Sequence, residues 1–185
     1  MSASLAGGLP AVTLVLGGAR SGKSRHAEAL VVGAARSGTY IATAEPGDPE
    51  MAARIAEHRA RRDNIRRGAF WRAVEAPLGL AAAILAHTDP ARPILVDCLT
   101  LWLSNLMLAG RVVEHEAETL CAALRHAQGP IVLVANEVGL GLVPETPLGR
   151  EFRDAAGRLN QQIAAQAQRV VFVAAGLPLV LKGAA

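Results

Sequence analysis

The feature that most constrains how this chain can fold is the octet Gly17-Gly18-Ala19-Arg20-Ser21-Gly22-Lys23-Ser24. It follows the apolar run Val12 to Leu16 and precedes the helix-compatible stretch RHAEALVV. Strand, glycine-rich turn and helix in that order make a phosphate cradle. The glycines let the backbone close around phosphate oxygens, and loop amides and the helix N-terminus supply partial positive charge. In such a cradle Lys23 reaches the β and γ phosphates and the Ser24 hydroxyl ligates Mg²⁺. A nucleoside triphosphate is the expected ligand. Kinases, switches and motors all carry this cradle, so it leaves the reaction open.

Further short apolar runs recur at Tyr40 to Thr43, Ile94 to Val96, Ile131 to Ala135 and Val170 to Ala174. Helix-compatible segments lie at Lys23 to Val32, Pro49 to Arg62, Pro77 to His87, Thr100 to Leu108, Glu114 to Gln128 and Pro147 to Gln168. Continuous apolar strands alternating with helices predict an α/β fold, a mostly parallel sheet flanked by helices with ligands at the carboxyl ends of the strands. The ending VVFVAAGLPLVLKG holds two runs too close for a helical crossover, which predicts a hairpin about Gly176 and an antiparallel C-terminal edge strand. With no repeat or low-complexity linker, residues 1–185 read as a single P-loop nucleotide-binding domain.

Composition excludes several classes. A 51% hydrophobic share against 19% charged residues is incompatible with a disordered chain, and 3% aromatic residues leave no base-stacking surface. A net charge of +3 gives no basic stripe, so nucleic acid is not an expected partner. The most apolar later stretch, PILVDCLTLWLSNLMLAG, carries Asp97 and Asn105 where a bilayer core would lie, which argues against a membrane span. The first residues lack a basic signal-peptide region, and Cys98 and Cys121 form neither a C-x-x-C pair nor a disulfide framework, so a cytoplasmic location is expected.

A P-loop protein needs an acid beside its metal, usually at the end of a neighbouring strand. Asp97 ends the apolar run in PILVD, and Glu137 follows the run in IVLVANEVG; either could instead be a helix cap or loop acid. Asp97 is the favoured metal-side acid with Ser24, because its strand leads directly into it. His58 lies in EMAARIAEHRARR beside Arg54, Arg59, Arg61 and Arg62. By residue type alone it reads either as a surface histidine or as a group in a cationic stretch facing a polyphosphate. His26, His87, His115 and His126 have no mutual spacing that suggests a metal site.

The segments GGARSGKSRHAEAL, YIATAEPGDPEMAARIAEHRARR, WRAVEAP, ILVDCLTLWLSNL and ANEVGLGLVPETPLGREFRDAAGRLNQQIAAQA carry a likeness that runs from Gly17 to Lys182. In this combination the chain resembles the bifunctional adenosylcobinamide kinase and adenosylcobinamide-phosphate guanylyltransferase family of cobalamin biosynthesis. The resemblance implies a RecA-like P-loop fold, a homotrimer, and the substrates adenosylcobinamide and its phosphate with GTP, ATP and Mg²⁺. It implies that His58, in the pattern Arg54-Ile55-Ala56-Glu57-His58, is the guanylylated nucleophile. The nucleotide contacts it implies are Gly17, Gly18, Ala19, Arg20, Ser21, Gly22, Lys23, Ser24, Thr43, Ala44, Glu45, Arg59, Ala60, Arg61, Arg62, Glu75 and Asp97. The chain departs from the family pattern between the histidine and Trp71, where Asp63 stands in place of a proline and Asp63 to Arg67 read as an insertion.

Two reactions on one scaffold follow from that resemblance. In the first, a hydroxyl of adenosylcobinamide attacks the γ phosphate while Lys23 and loop amides stabilise the transferred charge. In the second, His58 attacks the α phosphate of GTP and the resulting guanylyl-histidine passes GMP to the cobinamide phosphate. An ordinary imidazole, with a pKa of ~6.5, is largely neutral at cellular pH and so has a free nitrogen. Using two phosphorus atoms implies a movable helix and loop around residues 45 to 70. The loop ANEVGLGLVPE and the helix beginning near Leu148 are the expected corrinoid contacts. A simple P-loop kinase would leave His58 without a role, and a nucleotide-driven switch would act on DNA or a protein partner instead.

Overall fold

The computed structural model describes residues 8–45, 56, 60 and 70–184. Seven strands form one sheet: β1 (Val12–Gly17), β2 (Gly38–Ala42), β3 (Trp71–Glu75), β4 (Ile94–Asp97), β5 (Ile131–Asn136), β6 (Arg169–Ala174) and β7 (Leu177–Lys182). Their order is β3-β2-β4-β5-β1-β6-β7, parallel throughout except for the antiparallel β6–β7 pair at one edge. Five helices lie among the described residues: α1 (Lys23–Ala34), α2 (Leu80–His87), α3 (Leu99–Leu108), α4 (Val113–His126) and α5 (Pro147–Gln166). Ala56 and Ala60 are helical, as the Pro49 to Arg62 pattern predicts at those two positions.

Strand alternation divides the core in two. Ile94 and Val96 of β4 and Ile131, Leu133 and Ala135 of β5 pack under α2, α3, α4 and α5; Leu95, Val132 and Val134 point to the other face and pack with Ala27, Leu30 and Val31 of α1. Burial on both faces is why these strands read as continuous apolar runs. The β6–β7 hairpin closes through Ala175-Gly176, both with positive φ (51° and 79°), the backbone twist that two-residue hairpin loops require.

Two local departures from the sequence pattern have physical causes. Trp71–Glu75 is an edge strand whose Arg72, Ala73 and Glu75 are exposed, so it lacks the apolar run that marks its neighbours. Helix α2 begins at Leu80 rather than Pro77. The Pro77 and Leu78 carbonyls are held outside the helix by the Asn105 amide (3.1 Å) and the Trp102 indole N–H (2.8 Å) of α3.

Candidate functional site: a phosphate loop facing a strand-end acid

Gly17 ends β1 at a point too crowded for a side chain. A Cβ there would lie 2.5 Å from both Ser21 Oγ and the Val173 carbonyl oxygen of β6. Gly22 precedes α1 at φ +97°, a conformation costly for any residue with a Cβ, and packs against Gly176 of the hairpin turn. The Gly176 N–H donates to the Ser21 carbonyl at 2.9 Å and the Ser21 N–H to the Gly18 carbonyl at 3.3 Å, so the turn buttresses the loop from below. Lys23 folds its ammonium back onto the Gly18 carbonyl at 3.1 Å. Ala19 and Arg20 are exposed at the loop's crest.

Gly17→Ala is expected to destabilise the protein by about 1–3 kcal/mol, as overpacking against backbone does. For a domain of this size that lowers Tm by several degrees, and nucleotide affinity should fall with it. Calorimetry with and without nucleotide checks this; an unchanged melt would mean that the loop makes room.

The acid at the end of β4 meets this loop. Asp97 Oδ1 lies 3.4 Å from Ser24 Oγ, and Asp97 Oδ2 accepts a hydrogen bond of 2.8 Å from the Tyr40 hydroxyl. Tyr40 is buried in β2, so its ring fixes where that phenol points and thereby holds the carboxylate toward α1. Glu137 is turned elsewhere. Its Oε1 accepts from the Gly139 N–H (2.5 Å), closing its own turn, while its backbone N–H donates to the Gly17 carbonyl (3.0 Å). Of the two candidate acids, Asp97 is the one beside Ser24. A hydroxyl and a carboxylate are the hard oxygen donors that Mg²⁺ prefers, so the pair fits that ion.

Thr43 is buried and fully engaged. Its hydroxyl donates to the Cys98 carbonyl (2.7 Å) and accepts from the Cys98 N–H (2.9 Å). Its N–H donates to the Asp97 carbonyl (3.3 Å), and its carbonyl accepts from the Asn105 amide (2.7 Å). Thr43 therefore locks the ends of β2 and β4 together and sets the exit of Ala44 and exposed Glu45. Glu75 is exposed at the end of β3, in register with Ala42. Burial, with the Asp97 charge adding to it, pushes the Cys98 thiol up to about 11, which keeps it neutral and unreactive.

The structure thus brings Gly17 to Ser24, Thr43 to Glu45, Glu75 and Asp97 to the same end of the sheet, the carboxyl ends of β1 to β4. Ala60 is helical and exposed. His58, Arg59, Arg61 and Arg62, with the segment expected to move, lie outside the described residues. Among the described residues no group of three or more His, Cys, Asp or Glu side chains is placed to hold a metal, and no helix is long and apolar enough to cross a membrane. Sequence reasoning missed Tyr40; the one signal was that the chain's single tyrosine stands in an apolar strand, where its hydroxyl needs a partner.

A mostly parallel sheet with the glycine loop on β1, the acid on β4 and one strand between them defines a P-loop nucleotide-binding protein of RecA-like arrangement. Solved structures with this fold include the flagellar accessory protein FlaH from Methanocaldococcus jannaschii. It shares 16% identity at a TM-score of 0.55, covering 97% of this chain and 82% of FlaH. A second solved structure, an isolated ATPase domain, shares 14% identity at a TM-score of 0.51, covering 87% of this chain and 68% of that one.

Residues 13–181 match the family model described as cobinamide kinase / cobinamide phosphate guanyltransferase. The bifunctional adenosylcobalamin biosynthesis protein CobP of Pseudomonas aeruginosa is 51% identical over 172 residues, 92% of this chain and 96% of CobP. The bifunctional adenosylcobalamin biosynthesis protein CobU of Salmonella typhimurium is 43% identical over 184 residues, 91% of this chain and 98% of CobU. The chain belongs to the cobinamide kinase / cobinamide phosphate guanyltransferase family.

Proposed function

We propose that this protein phosphorylates adenosylcobinamide with ATP or GTP and then transfers GMP from GTP to the product, giving adenosylcobinamide-GDP. The reading rests on one observation above the rest: Lys23, Ser24 and Asp97 converge at the mouth of the sheet in a chain that matches this family over nearly its whole length. Both reactions run on one P-loop unit, residues 1–185, working in the cytoplasm as a homotrimer without nucleic acid or membrane partners.

In the kinase step the aminopropanol hydroxyl attacks the γ phosphorus and the nucleoside diphosphate leaves. Lys23 and the amides of Gly17 to Ser24 hold the β and γ oxygens as their charge redistributes. Ser24 and Asp97 would hold Mg²⁺, with Tyr40 fixing the carboxylate; when bound, the ion supplies neutralising charge to those oxygens. Ala44, Glu45 and Glu75 border the nucleotide at the ends of β2 and β3.

In the transferase step a His58 ring nitrogen attacks the α phosphorus of GTP, a P–N bond forms and pyrophosphate departs. A phosphate oxygen of the cobinamide phosphate then displaces His58 and regenerates it. Arg59, Arg61 and Arg62 steady the polyphosphate, with Ala60 on the same helical stretch. The corrinoid meets the loop from Asn136 to Glu145 and the start of α5, where Leu140, Leu142, Val143 and Leu148 are exposed.

Mass spectrometry of the purified protein after GTP and Mg²⁺ tests this reading. One added GMP, mapping to the peptide that contains His58 and labile in acid but stable in base, is the expected result. A protein that phosphorylates adenosylcobinamide yet never acquires GMP would be a simple kinase.

A further inference from the structure

We propose that Asn136 is a catalytic residue of the phosphorylation step, its carboxamide bridging the attacking hydroxyl and the γ phosphate. The inference rests on the kinase reading above and adds a residue that neither the P-loop pattern nor the family resemblance singled out.

Asn136 is the last residue of β5, the strand between the glycine loop on β1 and the acid on β4. It pairs in register with Gly17, while Asp97 pairs with Val134 two residues earlier. Val132 and Val134 pack on the α1 face, so strand alternation places the Asn136 side chain on that face as well, where Asp97 meets Ser24. Its backbone is pinned on three sides. The Asn136 N–H donates to Thr100 Oγ1 (2.7 Å), its carbonyl accepts from the Asn160 amide (3.2 Å), and the next N–H, of Glu137, donates to the Gly17 carbonyl (3.0 Å).

Against this fixed frame the side-chain oxygen Oδ1 is buried and has no hydrogen-bond partner. Buried polar atoms of that kind are uncommon in folded proteins. An oxygen acceptor calls for a donor, and phosphate oxygens are not donors; an alcohol O–H is. The same carboxamide carries N–H donors that suit a phosphoryl oxygen. One group can therefore hold both reactants in line, which is the positioning that phosphoryl transfer chiefly needs.

In that step the alcohol oxygen bonds to the γ phosphorus as the bond to the β–γ bridging oxygen breaks. The nucleoside diphosphate leaves with that electron pair. The alcohol proton passes to a non-bridging oxygen of the transferred group, since a carboxamide cannot take it.

The test compares unaltered protein, Asn136→Ala and Asn136→Asp for phosphorylation of adenosylcobinamide, nucleotide Kd, and the rate of GMP labelling. Asn136→Ala should lower kcat for phosphorylation by about 100-fold, with nucleotide Kd little changed and labelling slowed far less. The isosteric Asn136→Asp keeps an acceptor but sets negative charge against the γ phosphate, and should lose phosphorylation at least as severely. Near-normal phosphorylation in either folded variant, or loss of phosphorylation and labelling in parallel, would overturn the assignment. Absence of phosphorylation in the unaltered protein would instead sink the kinase reading itself. Should the alanine variant fail to fold, the aspartate variant decides alone.

Discussion

Lys23→Ala is expected to abolish both half-reactions while leaving a folded protein. The ammonium extends from the first turn of α1 and rests on the Gly18 carbonyl, so it belongs to the loop rather than to the core. A nucleotide's β and γ oxygens offer it stronger, charged partners than that carbonyl. Removing one positive contact of this type costs on the order of 10²–10³-fold in turnover, about 3–4 kcal/mol of transition-state stabilisation. Steady-state assays of phosphorylation and GMP transfer, with a circular dichroism melt as the folding control, check the result. Loss confined to one half-reaction would show that the two do not share this cradle. Lys23→Arg should not restore full activity, because a planar guanidinium does not fit the space of a compact ammonium.

His58→Ala should divide the activities rather than remove them together. Without the imidazole no P–N bond can form, so covalent GMP falls to background and adenosylcobinamide-GDP is not made. Phosphorylation, which uses the γ phosphorus, should stay within about threefold of normal if the two steps are chemically independent. Radiolabel from α-labelled GTP and corrinoid product analysis provide the two readouts. Equal loss of both would place the imidazole in the kinase step as well, or in the support of the loop.

Much of this architecture could be read from residue order because burial on both faces leaves plain apolar runs. Val12 to Leu16, Ile94 to Val96 and Ile131 to Ala135 are strands for that reason, and the close spacing about Gly176 revealed the hairpin. Trp71 to Glu75 was not legible as a strand. An edge position exposes Arg72, Ala73 and Glu75, and its pairing with β2 is a property of the assembled sheet. The phosphate loop was legible residue by residue, since its chemistry is local.

The acid beside the loop was only half legible. Asp97 and Glu137 follow similar strands, and what separates them is that Glu137 spends its carboxylate on the Gly139 amide while Tyr40 aims Asp97 at Ser24. Thr43 gave no hint that its hydroxyl would bind both the N–H and the carbonyl of Cys98, because that contact joins strands far apart in the chain. Asn136 was invisible for the same reason. Its place between the loop and the acid exists only once β5 has inserted between β4 and β1.

The prop that the Ala175-Gly176 turn lends to the phosphate loop bears on how the protein is made. β1 and its loop are translated early, yet both sheet neighbours of β1, and the amide that supports Ser21, come from much later in the chain. A ribosome-bound fragment halted before β6 holds the binding sequence without its scaffold. Capture of nucleotide must therefore await emergence of the distal hairpin, which shields half-made polypeptides from binding ligand prematurely.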